Sequence, residues 1–187
     1  EAVEKIKAEI AKFIIGQEEQ INYLIAGLLI KGHILLEGVP GIAKTYLAKL
    51  FSQTIDSGFS RIQFTPDLMP SDIIGTNIFN LKTSEFTFKK GPVFSNIVLI
   101  DEINRAPAKT QSALFEVMQE QQITLDGTTY AMEEPFMVLG TQNPIEQEGT
   151  YKLPEAQLDR FIYRIKMSYP SLEDEILILQ RFKNDFE

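Results

Sequence analysis

Leu35-Leu36-Glu37-Gly38-Val39-Pro40-Gly41-Ile42-Ala43-Lys44-Thr45 decides how the rest of the chain is read. Just before it, His33-Ile34-Leu35-Leu36 reads as a short buried strand. Just after it, Thr45 to about Asp56 reads as a helix. A glycine-containing turn between a strand and a helix is where a phosphate-binding loop lies. Its N–H groups and the helix N-terminus point at the anion, and the helix dipole favours negative charge there. Gly38, Val39, Pro40, Gly41, Ile42, Ala43, Lys44 and Thr45 are therefore candidate nucleotide-binding residues. Lys44 would neutralise the β- and γ-phosphates, and the Thr45 hydroxyl would ligate magnesium. Ala43 departs from the general Walker A pattern, which has glycine before the lysine so that backbone can approach a phosphate. The alternative is a Gly/Pro turn followed by a surface lysine.

Further along, Ile97-Val98-Leu99-Ile100-Asp101-Glu102 has the form of a Walker B strand. Four large hydrophobes carry two acids to the C-terminal edge of a sheet, where ligands bind in open α/β folds. Asp101 would hold hydrated magnesium, and Glu102 would polarise the attacking water. A strand ending in a polar turn is the alternative. Phe136 to Gly140 is another buried strand, leading into Thr141-Gln142-Asn143-Pro144. The Asn143 amide offers a donor and an acceptor to the water or the γ-phosphate. Asn-Pro is also a frequent turn dipeptide. Arg160, in Leu158-Asp159-Arg160-Phe161, is a candidate arginine finger. It competes with Arg105, Arg164 and the reading of a surface ion pair, with Asp159 as one partner.

The remaining pattern fits one continuous domain. Val3, Ile6, Ile10 and Phe13 give an amphipathic first helix, interrupted at Gly16, and a second helix runs from about Gln17 to Ile30. Arg61-Ile62-Gln63-Phe64 suits a strand. Asn77–Asn80 and Glu85–Phe88 flank a polar turn, and Ile123–Leu125 and Thr128–Tyr130 flank Asp126-Gly127, so two hairpins are expected. Lys109 to Gln122 reads as a helix, Phe161–Ile165 as a last strand and Ser171 to about Phe182 as a last helix. Hydrophobic strands alternating with helices imply an α/β fold whose parallel sheet is covered on both faces.

Composition narrows the function classes. The chain has 187 residues, 44% hydrophobic and 24% charged, as expected of one soluble domain with a core. No apolar run reaches the ~18 residues of a membrane span. The first residues alternate charge and hydrophobe and do not read as a secretory signal. Absence of cysteine removes disulfides and thiolate metal sites, and fits a cytoplasmic setting. The single histidine, His33, excludes a multi-histidine metal site and is read as packing at a strand start. A net charge of −8 argues against a broad nucleic-acid-binding surface. Lys82, Lys89 and Lys90 on the first hairpin form only a weak basic element. Phe79, Phe86 and Phe88 are read as hairpin packing, or as a client contact if they line an exposed face.

Taken in order, these motifs are those of a P-loop NTPase of the AAA+ class, and the chain resembles the MoxR family. The resemblance is carried by Leu35–Thr45, including Ala before Lys, and by Gln63-Phe64-Thr65-Pro66-Asp67-Leu68-Met69-Pro70-Ser71-Asp72. It is carried as well by Asp101-Glu102-Ile103-Asn104-Arg105-Ala106-Pro107, Thr141–Tyr151 and Leu153–Phe161. It runs from Gly16 to Pro170. It implies an ATPase using ATP and Mg2+, with Asn143 as sensor 1 and Arg160 as a finger acting on ATP in the neighbouring subunit. Gln17, within Ile15-Gly16-Gln17, would lie near the adenine. The two hairpins would be the helix-2 insert and the insert before sensor 1. Relatives of this type form rings, usually hexamers, and are thought to remodel or activate client proteins, often with von Willebrand A-domain partners. They carry a C-terminal helical lid. The expectation is therefore that 1–187 is the nucleotide-binding α/β subdomain without that lid. Two other functions are a nucleotide-dependent binding module with little hydrolysis and a DNA-directed motor.

Overall fold

The structure is a computed structural model and describes residues 1–39, 41–82, 84–143, 145 and 149–183. The chain opens with helices α1 (Ala2–Ile10) and α2 (Glu18–Leu29), strand β1 (His33–Gly38) and helix α3 (Lys44–Thr54). Strand β2 (Phe59–Gln63), the short helix α4 (Pro70–Ile74) and the hairpin β3 (Gly75–Asn80) and β4 (Glu85–Lys90) follow. Next come β5 (Ile97–Asp101), a 3₁₀ turn at Ile103–Arg105 and α5 (Ala108–Glu120). A second hairpin, β6 (Gln122–Leu125) and β7 (Thr128–Ala131), leads to β8 (Met137–Gln142). The described chain closes with α6 (Glu155–Leu158), β9 (Phe161–Met167) and α7 (Leu172–Phe182).

Five strands form one parallel sheet in the order β2-β5-β8-β1-β9. Period-two alternation divides its side chains between two cores. Ile34 and Leu36 of β1, Ile97 and Leu99 of β5 and Leu139 of β8 pack with Leu24 of α2 and Leu47 and Phe51 of α3. Leu35, Val98, Ile100 and Val138 point the other way, onto Leu114, Phe115 and Met118 of α5. All of these strand residues are essentially inaccessible to solvent. That is why β5 reads as an unbroken hydrophobic run. The fold is thus an α/β P-loop core with helices on both faces.

Some boundaries differ from the sequence reading. β1 runs two residues further, through Glu37 and Gly38, because β8 and β9 continue the ladder on either side of it. β2 begins at Phe59 and ends at Gln63, and Phe64 leaves the strand while remaining buried. α4 was not anticipated. Its five residues are too few to show a helical period, but Pro70 sits in its first turn and Asp72 accepts from the Met69 N–H at 2.8 Å. Both hairpins form. Asp126 and Gly127 have φ of 47° and 78°, as a two-residue hairpin loop of this hand requires.

His33 is buried where β1 begins. Its Nδ1 accepts from the Val138 N–H at 3.0 Å, so Nε2 carries the proton and donates to the Met118 carbonyl at 3.1 Å. Burial holds its pKa below the usual value, with the Met118 bond opposing. Among the described residues, no helix is long and apolar enough to cross a membrane.

Candidate functional site

The parallel sheet delivers the ends of β1, β5 and β8 to one edge, and the loop after β1 turns there into α3. Val39 and Ile42 anchor this loop in the core beneath it. Gly41 has φ of 85°, and a Cβ there would meet nothing within 4 Å, so its exposed backbone faces open space. Ala43, the N-cap residue of α3, has φ of 58° and ψ of 23°. A non-glycine residue in this left-handed region costs about 1 kcal/mol, so alanine keeps the loop geometry at modest strain. Lys44 donates to the Gly38 carbonyl at 2.8 Å, folding its ammonium back over the loop. Burial lowers the Lys44 pKa, while the charges of Asp101 and Glu102 pull it upward. Pro40 lies outside the described residues.

Gly41, Ala43, Lys44, Thr45, Asp101 and Glu102 line one open pocket of about 480 Å³. Asp101 is 8% exposed at the last position of β5. Its Oδ1 accepts from the Thr141 hydroxyl at 3.3 Å, and its Oδ2 accepts from Arg61 Nε at 2.5 Å. The next residue, Glu102, adopts φ of 55°, which breaks the strand direction and sends its carboxylate elsewhere. Glu102 Oε2 accepts from Gln63 Nε2 at 2.8 Å and from Arg105 Nε at 3.0 Å. The Glu102 N–H donates to the Thr141 hydroxyl at 3.1 Å. One threonine on β8 therefore ties the two acids together.

Asn143 does not line the phosphate-loop pocket. It lines a cleft of about 760 Å³ with Glu37, Asn104, Gln142 and Arg164, and its Oδ1 accepts from the Ile145 N–H at 3.2 Å. Glu37, 8% exposed, accepts from Gln142 at 2.7 Å and Arg164 at 3.0 Å. Of the two competing arginines, Arg105 pairs with the pocket acid Glu102, and Arg164 pairs with Glu37 in the neighbouring cleft. Arg160 is exposed and reaches the Gln119 side chain of α5, away from the pocket. Gln17 donates to the Ile42 carbonyl at 3.3 Å, tying the start of α2 to the loop. It also lines a pocket of about 270 Å³ with Gly16, Gln20, Tyr169, Ser171 and Asp174.

Sequence reading missed four polar neighbours of the acids and the loop: Arg61, Gln63, Glu37 and Thr141. A signal for two of them was available. Ile62 and Phe64 point into one core, so Arg61 and Gln63 must face the opposite side, which Asp101 shares.

The donor set suits the hard cation expected from the motif. Thr45 and Asp101 both line the pocket and bring oxygen atoms to it, and among the described residues there is no cluster of three or more His, Cys, Asp or Glu. Magnesium is commonly held this way, by one or two protein oxygens plus phosphates and water.

Comparison with known proteins agrees. The family model for the ATPase family associated with various cellular activities (AAA) matches residues 33–163. The chain is 53% identical over 179 residues to chaperone MoxR1 of Mycobacterium tuberculosis, covering 96% of this chain and 48% of that protein. It is 50% identical over 175 residues to YeaC, an uncharacterized protein of Bacillus subtilis, covering 94% and 55%. A crystal structure from Cytophaga hutchinsonii superimposes with a TM-score of 0.88 at 54% identity, covering 98% of this chain and 56% of that one. The chain thus spans about half the length of the curated relatives it matches. With the phosphate loop, the acid-tipped strand and these relatives in agreement, the chain belongs to the AAA family of ATPases and is of the MoxR type.

Proposed function

We propose that this chain binds ATP with magnesium and hydrolyses it, and that the cycle drives remodelling or activation of a client protein. The observation that carries the reading is the convergence of Gly41, Lys44, Thr45, Asp101 and Glu102 on one pocket. The loop amides and the N-terminus of α3 cradle the phosphates, with the loop from Gly38 to Thr45 wrapping the triphosphate tail. Lys44 leaves the Gly38 carbonyl for the β- and γ-phosphate oxygens. Thr45 and Asp101 would hold magnesium, which when bound supplies charge neutralisation on those oxygens. Glu102 takes the proton of the attacking water; Asn143, just past the end of β8 on the neighbouring cleft, would give up the Ile145 N–H and turn toward that water to orient it. Gln17 and its neighbours sit by the adenine.

Arg160 is exposed and outside its own pocket, which suits action on the nucleotide of a neighbouring subunit in a ring, for which we propose six subunits by analogy with the class. The name chaperone MoxR1 for a 53% identical relative supports a protein client, and a von Willebrand A-domain protein is the partner class we assign. A second reading, a nucleotide-dependent binding module with little hydrolysis, is favoured by one observation. Glu102 is held by Gln63 and Arg105 and must be released before it acts as a base.

Calorimetry with ATP and ADP, paired with a phosphate-release assay, tests both. Lys44→Ala is expected to abolish binding. Glu102→Gln is expected to bind normally and turn over on the order of 10²–10⁴-fold more slowly, the usual share of a general base. Wild-type protein that ignores both nucleotides at millimolar concentration would overturn the first reading. Tight binding with no turnover at any protein concentration would install the second.

A further inference from the structure

Arg61 occupies a place that the phosphate-loop chemistry leaves unexplained. It projects from β2 on the same side of the sheet as Asp101, because β2 and β5 are parallel with Gln63 opposite Asp101. Its Nε meets Asp101 Oδ2 at 2.5 Å, and it lines the same pocket as Lys44 and Thr45. The other Asp101 oxygen is taken by Thr141. Both carboxylate oxygens of this nearly buried acid therefore have partners before any metal arrives.

The two partners of the ion pair differ in freedom. The Arg61 side chain is 53% exposed, whereas that of Asp101 is 11% exposed and fixed at a strand end. Arg61 can swing and Asp101 cannot. Lys44 is spent on the Gly38 carbonyl, so the cation in direct contact with Asp101 is Arg61. A nearly buried carboxylate needs such a partner. A triphosphate, carrying several negative charges into the same pocket, offers a long, exposed guanidinium a better set of oxygens, which it can grip in bidentate fashion.

We propose that Arg61 is the resident counter-ion of Asp101, holding the acid until nucleotide arrives, then sharing its guanidinium between Asp101 and a phosphate oxygen, and yielding Asp101 fully only to magnesium. The inference rests on the magnesium–nucleotide reading given above. It makes Arg61 a positioning residue with two opposed effects. On Asp101 it competes with magnesium. On the phosphates it strengthens nucleotide binding. A merely structural ion pair on the rim would do neither.

The test is calorimetric titration of ADP into the wild-type chain, Arg61→Gln and Arg61→Lys, first in EDTA and then across a magnesium series. For Arg61→Gln, metal-free ADP affinity is expected to fall about threefold to tenfold, the range for loss of one partly exposed charged contact. The magnesium concentration giving half of the metal-dependent gain is expected to fall by a similar factor. Arg61→Lys retains charge without the planar fork and is expected to fall between the two, which keeps the test open if the glutamine variant folds poorly. Weaker ADP binding together with a raised magnesium midpoint overturns the proposal, as does an unaltered magnesium midpoint in both variants. Wild-type protein that binds no ADP at all removes the nucleotide reading and this inference with it.

Discussion

His33 offers a quantitative test because it is the single histidine of the chain. The residue is 5% exposed, and its ring is bonded at both nitrogens in one neutral tautomer. Adding a second proton would place an N–H on Nδ1 facing the Val138 N–H, and would bury a charge. Burial accordingly lowers its folded pKa below the ordinary 6.5, while the Met118 bond opposes. A group with a depressed folded pKa and a neutral basic form stabilises the fold above its unfolded pKa. That stability is lost as pH falls below about 6.5, because the unfolded chain then binds the extra proton. The slope cannot exceed about 1.36 kcal/mol per pH unit for one group. Over the 1.5 units down to pH 5.0 the loss from His33 is therefore at most about 2 kcal/mol. Urea unfolding at pH 7.5, 6.5, 5.8 and 5.0 measures this directly. His33→Asn is expected to be less stable at pH 7.5, since it loses ring packing against Phe136, yet nearly flat over the same range. If the variant keeps the wild-type slope, the imidazole is not the titrating group and the buried-tautomer argument is wrong.

Two further outcomes follow from the geometry. Arg160→Ala is expected to leave ADP affinity in dilute solution unaltered. Turnover, measured at protein concentrations where wild-type rate per chain rises steeply, should fall on the order of 10³-fold; equal activity in wild-type and variant assemblies would remove the trans role. Gly75→Ala forces a Cβ to within 2.2 Å of the Lys89 carbonyl oxygen at φ of 110°. It should cost about 2–3 kcal/mol or detach the first hairpin, read as a lower urea midpoint or as rapid proteolysis between residues 75 and 91.

Sequence was most informative where one physical requirement dominated a segment. Burial on both faces made β5 a run of four hydrophobes, and a loop needing φ above zero twice put Asp126-Gly127 between two strands. It was least informative where a contact closes across the chain. Glu37 and Arg164 lie 127 residues apart and Arg61 and Asp101 lie 40 apart, and no local pattern pairs them until the strand order is known. Asn143 shows a third case. The same amide that suits a water-orienting role also suits a turn, and here its oxygen takes the Ile145 N–H. The phosphate loop lay between these extremes: its residues and spacing were legible, but the inward fold of Lys44 onto Gly38 was not.

The root of the first hairpin has a mechanical consequence. Gly75 and Gly91 bring main chain against main chain, with the Gly91 N–H on the Ile74 carbonyl at 2.9 Å and the Val93 N–H on Ile73 at 3.1 Å. There is no compressible side chain at this fulcrum. Further out, Phe88 stacks on Tyr130 with ring centroids 4.5 Å apart, and Asn77 bonds Asp126, so the two hairpins are clasped together. A load applied at the tip near Phe86 is shared between α4, at the fulcrum, and the β6–β7 arm. That arm is continuous with α5 at one end and runs on through cis-Pro135 into β8 at the other. The far end of β8 carries Thr141, whose hydroxyl joins Asp101 to the Glu102 backbone, so one continuous run of contacts connects the hairpins to the acids.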